Sequence, residues 1–574
     1  MAPQLFPTPF AFGYLEPLTL VELRMLYYSC TIRAKPSWWE KIHDPDIVAK
    51  WQVEMVEHDR VTHDNFWGGS RRFRDQDRKG HVKRWPRDPL TEAQIEYIFD
   101  ELEYEAGERD PDTGIFTSGV RRACESHSLI DDALKAQLVE SVAAFEHVPD
   151  DQKDWHPGSN GQVLDLVHPS LYPVCIGRTH VLKPNPSGGD PVFALLENHH
   201  YLKGRPDLED EESYAVSNAY QWLPTDFAVT DDGESVTALG YINNVHPSRH
   251  RTLYPAITSI IARFIPMFER VLSDLASPSI IQNAITNYDD WYADLEVSEP
   301  EYDSDASDND TYEERLGEWE HLHKWPRVPE PLPFEPPSTH LRVDYPLTGR
   351  TVQVIVKLAN IHLTPENPRY PGGSWHVEGM ANERIVATGL YYYAMENIKE
   401  SRLAFRHCMS DGDNGSGYGY EENDHRGWSV VFGFGNNDGL NQLLGHVVAA
   451  EDKCVAFPNV YQHHVEPFEL ADKARAGHRK ILALFLVDPN VHILSTSDVP
   501  PQQRDWAMNE AEKAPGLQSL PRELFDMVVG FAEDGLMSRE EAEGHREKLM
   551  KERSVFVKNH NEETFEQTFN MCEH

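Results

Sequence analysis

No stretch of the 574-residue chain approaches the roughly 20 consecutive apolar residues that a bilayer-spanning helix needs, so an integral membrane helix is not expected. Cysteine is scarce. The six residues Cys30, Cys124, Cys175, Cys408, Cys454 and Cys572 form no CxxC pair and lack the density of a disulfide scaffold. That usage reads as reduced thiols in a cytoplasmic protein, with the nucleus as the alternative. The opening "MAPQLFPTPFAFGYLEPLTL" has no basic segment followed by an uninterrupted apolar one, so a secretory signal is not expected either. Positive charge is in short supply. With 53 Lys and Arg against 94 Asp and Glu, the net charge is −41, which repels phosphate backbones and anionic lipid surfaces. Neither nucleic acid nor membrane is an expected partner, and the acid surplus leans toward a basic peptide or a cationic metabolite. One stretch, "RRFRDQDRKGHVKRWPR" from Arg71 to Arg87, runs against the trend and reads as a solvated loop. The HExxH pattern of helix-borne zinc hydrolases is also absent.

Apolar residues are present in quantity: 40% hydrophobic and 10% aromatic suffice for a substantial core. The first 90 residues read as a helical region. "TLVELRMLYYSCTIR" begins with a Thr19/Glu22 capping pattern, and "DPDIVAKWQVEMVEH" places Ile47, Trp51 and Met55 at helical spacing behind Asp46 as cap. Residues 91–340 read as a helical and mixed scaffold. "TEAQIEYIFDELEYEA" repeats the capping logic with Thr91 and Gln94, and "DDALKAQLVESVAAFEH" continues the helical pattern. The long apolar "YPAITSIIARFIPMFERVLSDLA" is expected to pack on a sheet, kinked or divided at Pro266. The acidic segment at about 298–320 is expected to be disordered or loosely ordered.

From about Arg342 the texture changes. "TVQVIVKLANIHL", "RIVATGLYYYA", "RLAFRHC", "GHVVAAEDKCVAFP" and "HRKILALFLVD" are short β-branched and aromatic runs broken by Gly, Pro and Asn. Successive strands without intervening helices predict an antiparallel sandwich or barrel over residues 341–497. A polar Gly-rich loop, Ser410 to Trp428, interrupts it and either is disordered or covers a site. Residues 498–574 return to helical patterns and are expected to pack back on the barrel. The fold class is therefore α+β.

Within the strand-rich region, "SWHVEGM" sets His376 and Glu378 two residues apart, a spacing that points both side chains to one face of a strand. An imidazole and a carboxylate aimed at one point are metal donors that lack a third. "VYQHHVEPFEL" supplies it as His463 or His464. Two histidines and one carboxylate on one face of an ion, with the other positions open, is the arrangement of non-haem Fe(II) oxygenases, although zinc accepts the same donors. Arg479 opens the next apolar strand in "AGHRKILALFLVD". A buried arginine needs an anion, and its planar fork suits a carboxylate.

The ordered set "HVE", "HHVEP" and "GHR" resembles the Fe(II)/2-oxoglutarate-dependent oxygenase superfamily, in particular its prolyl-hydroxylase-like branch. The resemblance covers roughly Arg342 to Val491. It implies a double-stranded β-helix (jelly-roll) core flanked by N-terminal and C-terminal helical additions. It selects His463 over His464, so the implied metal ligands and catalytic residues are His376, Glu378 and His463. Arg479 is implied as the anchor of the cosubstrate carboxylate, with Thr388 and Tyr392 touching it as well. The implied activity is hydroxylase-type oxidation using Fe(II), 2-oxoglutarate and O₂, with succinate and CO₂ as co-products and ascorbate as a possible reductant. Glu378 departs from the commoner aspartate, and the gap between His463 and Arg479 is longer than in compact members. Over nearly its full length, phrases such as "ANIHLTPENPRYPGGSWHVEGM" also resemble the mostly fungal domain-of-unknown-function 4246 family, which brings no substrate. Two rival readings are a cupin-like metal enzyme without 2-oxoglutarate and a non-catalytic binding scaffold. The substrate, a small molecule or a basic peptide, and the oligomeric state are not legible.

Overall fold

The architecture was read from a computed structural model that describes residues 5–10, 17–66, 74–76, 82–84, 89–183, 191–206, 208, 213–277, 297–302, 309–324, 326, 330–409, 431–433 and 438–568. The capping patterns of the sequence act locally much as expected. The α1 helix (Leu20–Arg33) has a complete capping box between Thr19 and Glu22. In α2 (Pro45–Phe66) the cap is Asp44 rather than Asp46, because its carboxylate accepts from the N–H groups of Asp46 and Ile47. Thr91 caps α3 (Glu92–Gly107), while the side chain of Gln94 turns to Arg24 and Glu330 instead of closing a box. The basic stretch is not merely a loop, since Arg74–Gln76 and Val82–Arg84 pair as a short hairpin.

The acidic segment is also more regular than expected, forming α6 (Asn309–His323). It is held by the Trp319 indole N–H, which donates to the Val297 carbonyl, and by a Glu320–Lys324 ion pair at i,i+4 spacing. The Gly-rich loop from Ser410 to Trp428 and Cys572 lie outside the described residues.

Two helices form the back layer, α4 (Asp132–Glu146) and α5 (Leu253–Ala276). Pro266 sits inside α5 without ending it. A proline in a helix interior costs about 3 kcal/mol. Ile257, Ile260, Ile261, Phe264, Phe268 and Leu272 are all fully buried on this helix, and each contributes roughly 1.5–3 kcal/mol, so packing outweighs the break.

The helices cover one face of a nine-stranded sheet. Its strands are β1 (Phe116–Thr117), β2 (Cys124–Ser126), β3 (Val163–Val167), β4 (Thr225–Val229), β5 (Val236–Ala238), β6 (Thr351–Leu363), β7 (Ile385–Glu396), β10 (Cys454–Pro458) and β12 (Gly477–Val487), and a smaller sheet holds β8 (Ser401–Cys408), β9 (Asn441–Ala449) and β11 (Gln462–Val465). The order across the large sheet is β5-β4-β6-β12-β7-β10-β2-β1, with β3 also on β6, and the small sheet runs β9-β8-β11. Among the described residues the ladders do not close into a barrel. The free edges of β6 and β10 are taken by β4, β3 and β2 from the preceding scaffold, so the expected jelly roll is met at the level of a large antiparallel sheet with helices.

Strand alternation separates two faces. Toward the helices point Gly389, where a Cβ would meet Phe264 at 2.8 Å, and Asn360 and Lys480, both bonded to Glu146 of α4. The opposite face carries rows set by register: Ile355, Phe485, Thr388 and Phe457; then Lys357, Ala483 and Leu390; then Ala359, Ile481 and Tyr392; then Ile361 and Arg479. On this face the Phe457 ring meets Phe405 of β8 edge-on at 4.9 Å, which couples the two sheets.

The C-terminal tail returns as expected. Helix α7 (Arg539–His560), capped by Ser538, lies against β3 through Arg546, whose guanidinium bonds Asp154 (2.6 and 2.7 Å) and the buried Asp165 (2.6 Å). Burial resists the charge of Asp165, but His168 beside it and the bonded His156 hold its carboxyl well below the usual range. A depressed folded pKa stabilises the fold above the unfolded value and loses that contribution as pH falls toward the folded one. Asp165→Asn is expected to cost about 3 kcal/mol near pH 7, with the deficit against wild type shrinking only below about pH 4, as read by urea unfolding across pH.

Candidate metal centre

His376 and His463 face each other across an antiparallel bridge. The His376 N–H donates to the His463 carbonyl (3.2 Å) and the His463 N–H to the His376 carbonyl (2.9 Å), which brings the ring centroids to 4.5 Å. One segment belongs to the edge of the small sheet, while the other enters it from the turn that precedes β7. Glu378 Oε1 lies 3.7 Å from His376 Nε2 and 3.4 Å from His463 Nε2. The three donors fall within 4.8 Å of one another, so they can share one cation.

The proton positions suit a metal. The His376 Nδ1–H donates to the Ser374 carbonyl (2.8 Å), which leaves Nε2 as the nitrogen that faces Glu378 and that a metal would take in place of a proton. Burial disfavours protonated His376, but the Glu378 carboxylate outweighs it and raises the ring above its ordinary value. Burial and the neighbouring His376 lower His463. Burial resists ionisation of Glu378, yet hydrogen bonds and charge from both imidazoles hold it well below the carboxylate range. A carboxylate whose pKa is held low between two imidazoles suits a cation by charge as well as by geometry.

Two other groups of metal-type residues fit less well. In His156, Asp165 and His168, the carboxylate is committed to Arg546, and His168 Nδ1 accepts the Ser170 N–H (3.1 Å), which places the proton on its other nitrogen. Glu197, His199 and His200 are exposed, and the Lys183 ammonium lies 3.0 Å from His200 Nδ1.

Arg479 is buried on the same face of the sheet. Nη1 donates to Ser401 Oγ (2.8 Å), Nε has no hydrogen-bond partner, and among the described residues no carboxylate pairs with it. The guanidinium lies 5.6 Å from the Tyr392 ring and 5.2 Å from Phe468. Burial pushes its pKa down, opposed by Tyr392 and Tyr370. Thr388 is fully buried with Oγ1 unpartnered, one strand away from Phe457, whose ring touches His463 at 4.9 Å. Thr388 and Tyr392 are four residues apart, roughly 13 Å along the strand, so they flank opposite ends of the interior.

Matches to known families cover much of the chain. The model described as "Protein of unknown function (DUF4246)" matches residues 92–510, and "Domain of unknown function DUF4246, N-terminal" matches residues 2–54. The chain belongs to the DUF4246 family. No curated protein matches it. Among solved structures it is similar to one described as "Selenomethionine labeled Fe(II)/(alpha)ketoglutarate-dependent dioxygenase TqaL", with 9% identity over 48% of this chain and 70% of that one, at a TM-score of 0.22. It is also similar to IDO from Bacillus thuringiensis (8% identity, 24% and 47% of the two chains, TM-score 0.16) and to a bsmA homologue from Methylobium petroleophilum PM1 (11%, 24% and 42%, TM-score 0.13). At such scores these likenesses carry no argument, and the site must speak through its own residues.

Several residues near the motif in this DUF4246 member do not join the centre. His464 turns to the other side, its ring 4.0 Å from Trp375 and its Nδ1 3.3 Å from the Gly373 carbonyl. Trp375 in turn meets the Arg406 guanidinium at 4.8 Å. Asn360 faces the helices, bonded to Glu146 and Tyr393, whereas Tyr370 lies near Arg479.

One residue was not foreseen. Asn459 clamps Glu378 from both sides, its Oδ1 accepting the Glu378 N–H (2.9 Å) and its Nδ2 donating to the Glu378 and Ile385 carbonyls (2.8 and 3.0 Å). Nothing in "FPNVYQ" marks this asparagine, because its partners lie some eighty positions away. Gly379 follows at φ +73°, where a Cβ would meet Ile385 at 2.7 Å. Asn459→Ala is expected to weaken Co(II) or Zn(II) binding about 10–100-fold, measured by chelator competition, whereas His464→Ala leaves it unchanged.

Proposed function

We propose that this protein is an Fe(II)- and 2-oxoglutarate-dependent oxygenase with a jelly-roll core. The carrying observation is the pair of sites on one interior: the His376–Glu378–His463 donor set, and a buried arginine whose Nε has no partner. The strand order β6-β12-β7-β10, in contact with the separate sheet β9-β8-β11 through Phe405–Phe457 and Arg479–Ser401, supports the core assignment.

In this reading His376 Nε2, His463 Nε2 and a Glu378 oxygen would hold the iron. The iron, when bound, supplies the oxidative chemistry, with 2-oxoglutarate leaving as succinate and CO₂. The Ser374 carbonyl fixes the tautomer of His376, and Asn459 fixes the backbone that aims Glu378. Arg479, held by Ser401, pairs with the far carboxylate of 2-oxoglutarate, and the Tyr392 side chain lies beside it. Thr388 stands at the metal end of the same interior. Phe405, Phe457 and Phe485 line that end and exclude water.

Addition of Fe(II) and 2-oxoglutarate without oxygen is expected to give a weak visible charge-transfer band that His376→Ala abolishes. Its absence in wild type, at concentrations that show it in a control oxygenase, would falsify the reading. Arg479→Ala is expected to raise the 2-oxoglutarate requirement at least about tenfold with the iron requirement unchanged. Turnover that survives removal of 2-oxoglutarate would instead favour a cupin-like enzyme, and metal binding with no turnover on any substrate would favour a scaffold.

A further inference from the structure

The interior face of the large sheet carries a cation that the metal and Arg479 do not use. Lys357 lies on β6 in register with Ala483 and Leu390, so its side chain leaves the sheet on the face of the metal centre and not on the helix side. It is half-buried, and among the described residues its ammonium has neither a hydrogen bond nor an ion pair. Its field reaches His376 and Asp165. Asp165 does not neutralise it, because that carboxylate is bonded to Arg546 and His156.

Helix α7 adds a second group. Arg553 lies seven residues after Arg546 on the same helix face, with its guanidinium 3.7 Å from the Trp222 ring. Trp222 stacks on Phe485 of β12, which places Arg553 at the metal end of the interior. Nη2 donates to Glu383 (2.5 Å), a carboxylate that also accepts from the Trp222 and Met380 N–H groups, while Arg553 Nε is buried without a partner. Arg553 also feels the Glu378 charge.

Arg479 is four residues along the sheet from the row of Lys357, roughly 13 Å, and so serves a different anion. We infer that Lys357 and Arg553, reaching the metal centre from β6 and from α7, form a wall that binds an anionic oxygen group, carboxylate or phosphate, of the primary substrate. The inference rests on the metal reading of His376, Glu378 and His463 for its place in catalysis. It reverses the leaning drawn from net charge, since −41 is a sum over the whole chain while this interior offers an unpaired ammonium and an open guanidinium N–H. An unpaired charge on an inward face is costly unless an anion or water meets it.

The test uses inorganic phosphate and acetate as probes on the full-length chain. In calorimetric titrations of chelator-treated protein, saturable binding is expected to weaken about tenfold or more in Lys357→Gln, to recover in Lys357→Arg, and to stay unchanged in the exposed control Lys50→Gln. The stronger of the two probes tells phosphate from carboxylate as the preferred group. With Co(II) and 2-oxoglutarate bound, phosphate is expected to show ³¹P line broadening that the Zn(II) form lacks, which puts the anion at the metal. Equal phosphate affinity in wild type and Lys357→Gln overturns the inference. So does a lack of broadening in protein shown to have bound Co(II), or a Lys357→Gln protein that loses 2-oxoglutarate affinity as much as phosphate affinity. If Co(II) fails to bind while Lys357-dependent phosphate binding persists, the metal reading falls and the anion wall stands.

Discussion

Glu378 is an ionised carboxylate in the interior with no lysine or arginine bonded to it, facing two imidazole nitrogens at 3.4 and 3.7 Å. Burying such a charge costs several kcal/mol unless a cation compensates it. The two-way backbone bridge between His376 and His463 fixes their backbones side by side, so both imidazoles start from one place beside Glu378. Much of the local structure serves this point. Asn459 pins both backbone groups of Glu378, Gly379 supplies the left-handed turn after it, and the Phe405–Phe457 contact holds the two sheets at the spacing the donors need.

A second constraint is the division of the large sheet into a helix face and an interior face. Glu146 of α4 collects Asn360 and Lys480, and α5 packs on Gly389, so the polar residues of one face are satisfied by the helical layer. The other face keeps Arg479, Lys357 and Thr388 without carboxylate partners. Helix α7, outside the part of the chain matched by the longer family model, seals this interior with Arg546 and Arg553. The tail therefore packs on the face of the sheet that carries the candidate site. That is why a chain with a strongly acidic surface can present cations inside.

Local patterns were read well where the physics is local. Thr19 and Glu22 form their capping box, and the β-branched runs after Arg342 are strands. Readings failed where tertiary contacts overrode local preference. Of the two outcomes expected at Pro266, division of α5 does not occur, because six fully buried large side chains outweigh the proline's cost, and the acidic stretch around Asn309–His323 is helical where composition suggested disorder or loose order. Among the described residues the strands do not close into a barrel, because scaffold strands from before residue 240 occupy the edges, which a strand count within residues 341–497 does not reveal.

By itself the sequence determined which residue types could meet: two histidines, a glutamate and an arginine in an order that suits a cation beside a carboxylate-binding fork. Spacing of two along a strand guarantees a shared face, so His376 and Glu378 were legible at once. The resemblance already favoured His463 over His464, and the tertiary structure adds the physical reason, since adjacent strand residues point to opposite sides and the bridge puts His463 beside His376 while His464 turns to Trp375. The tertiary structure alone brought in Asn459, Lys357 and Arg553, whose partners are distant in the chain and whose roles follow from register and helix docking, which no local pattern encodes.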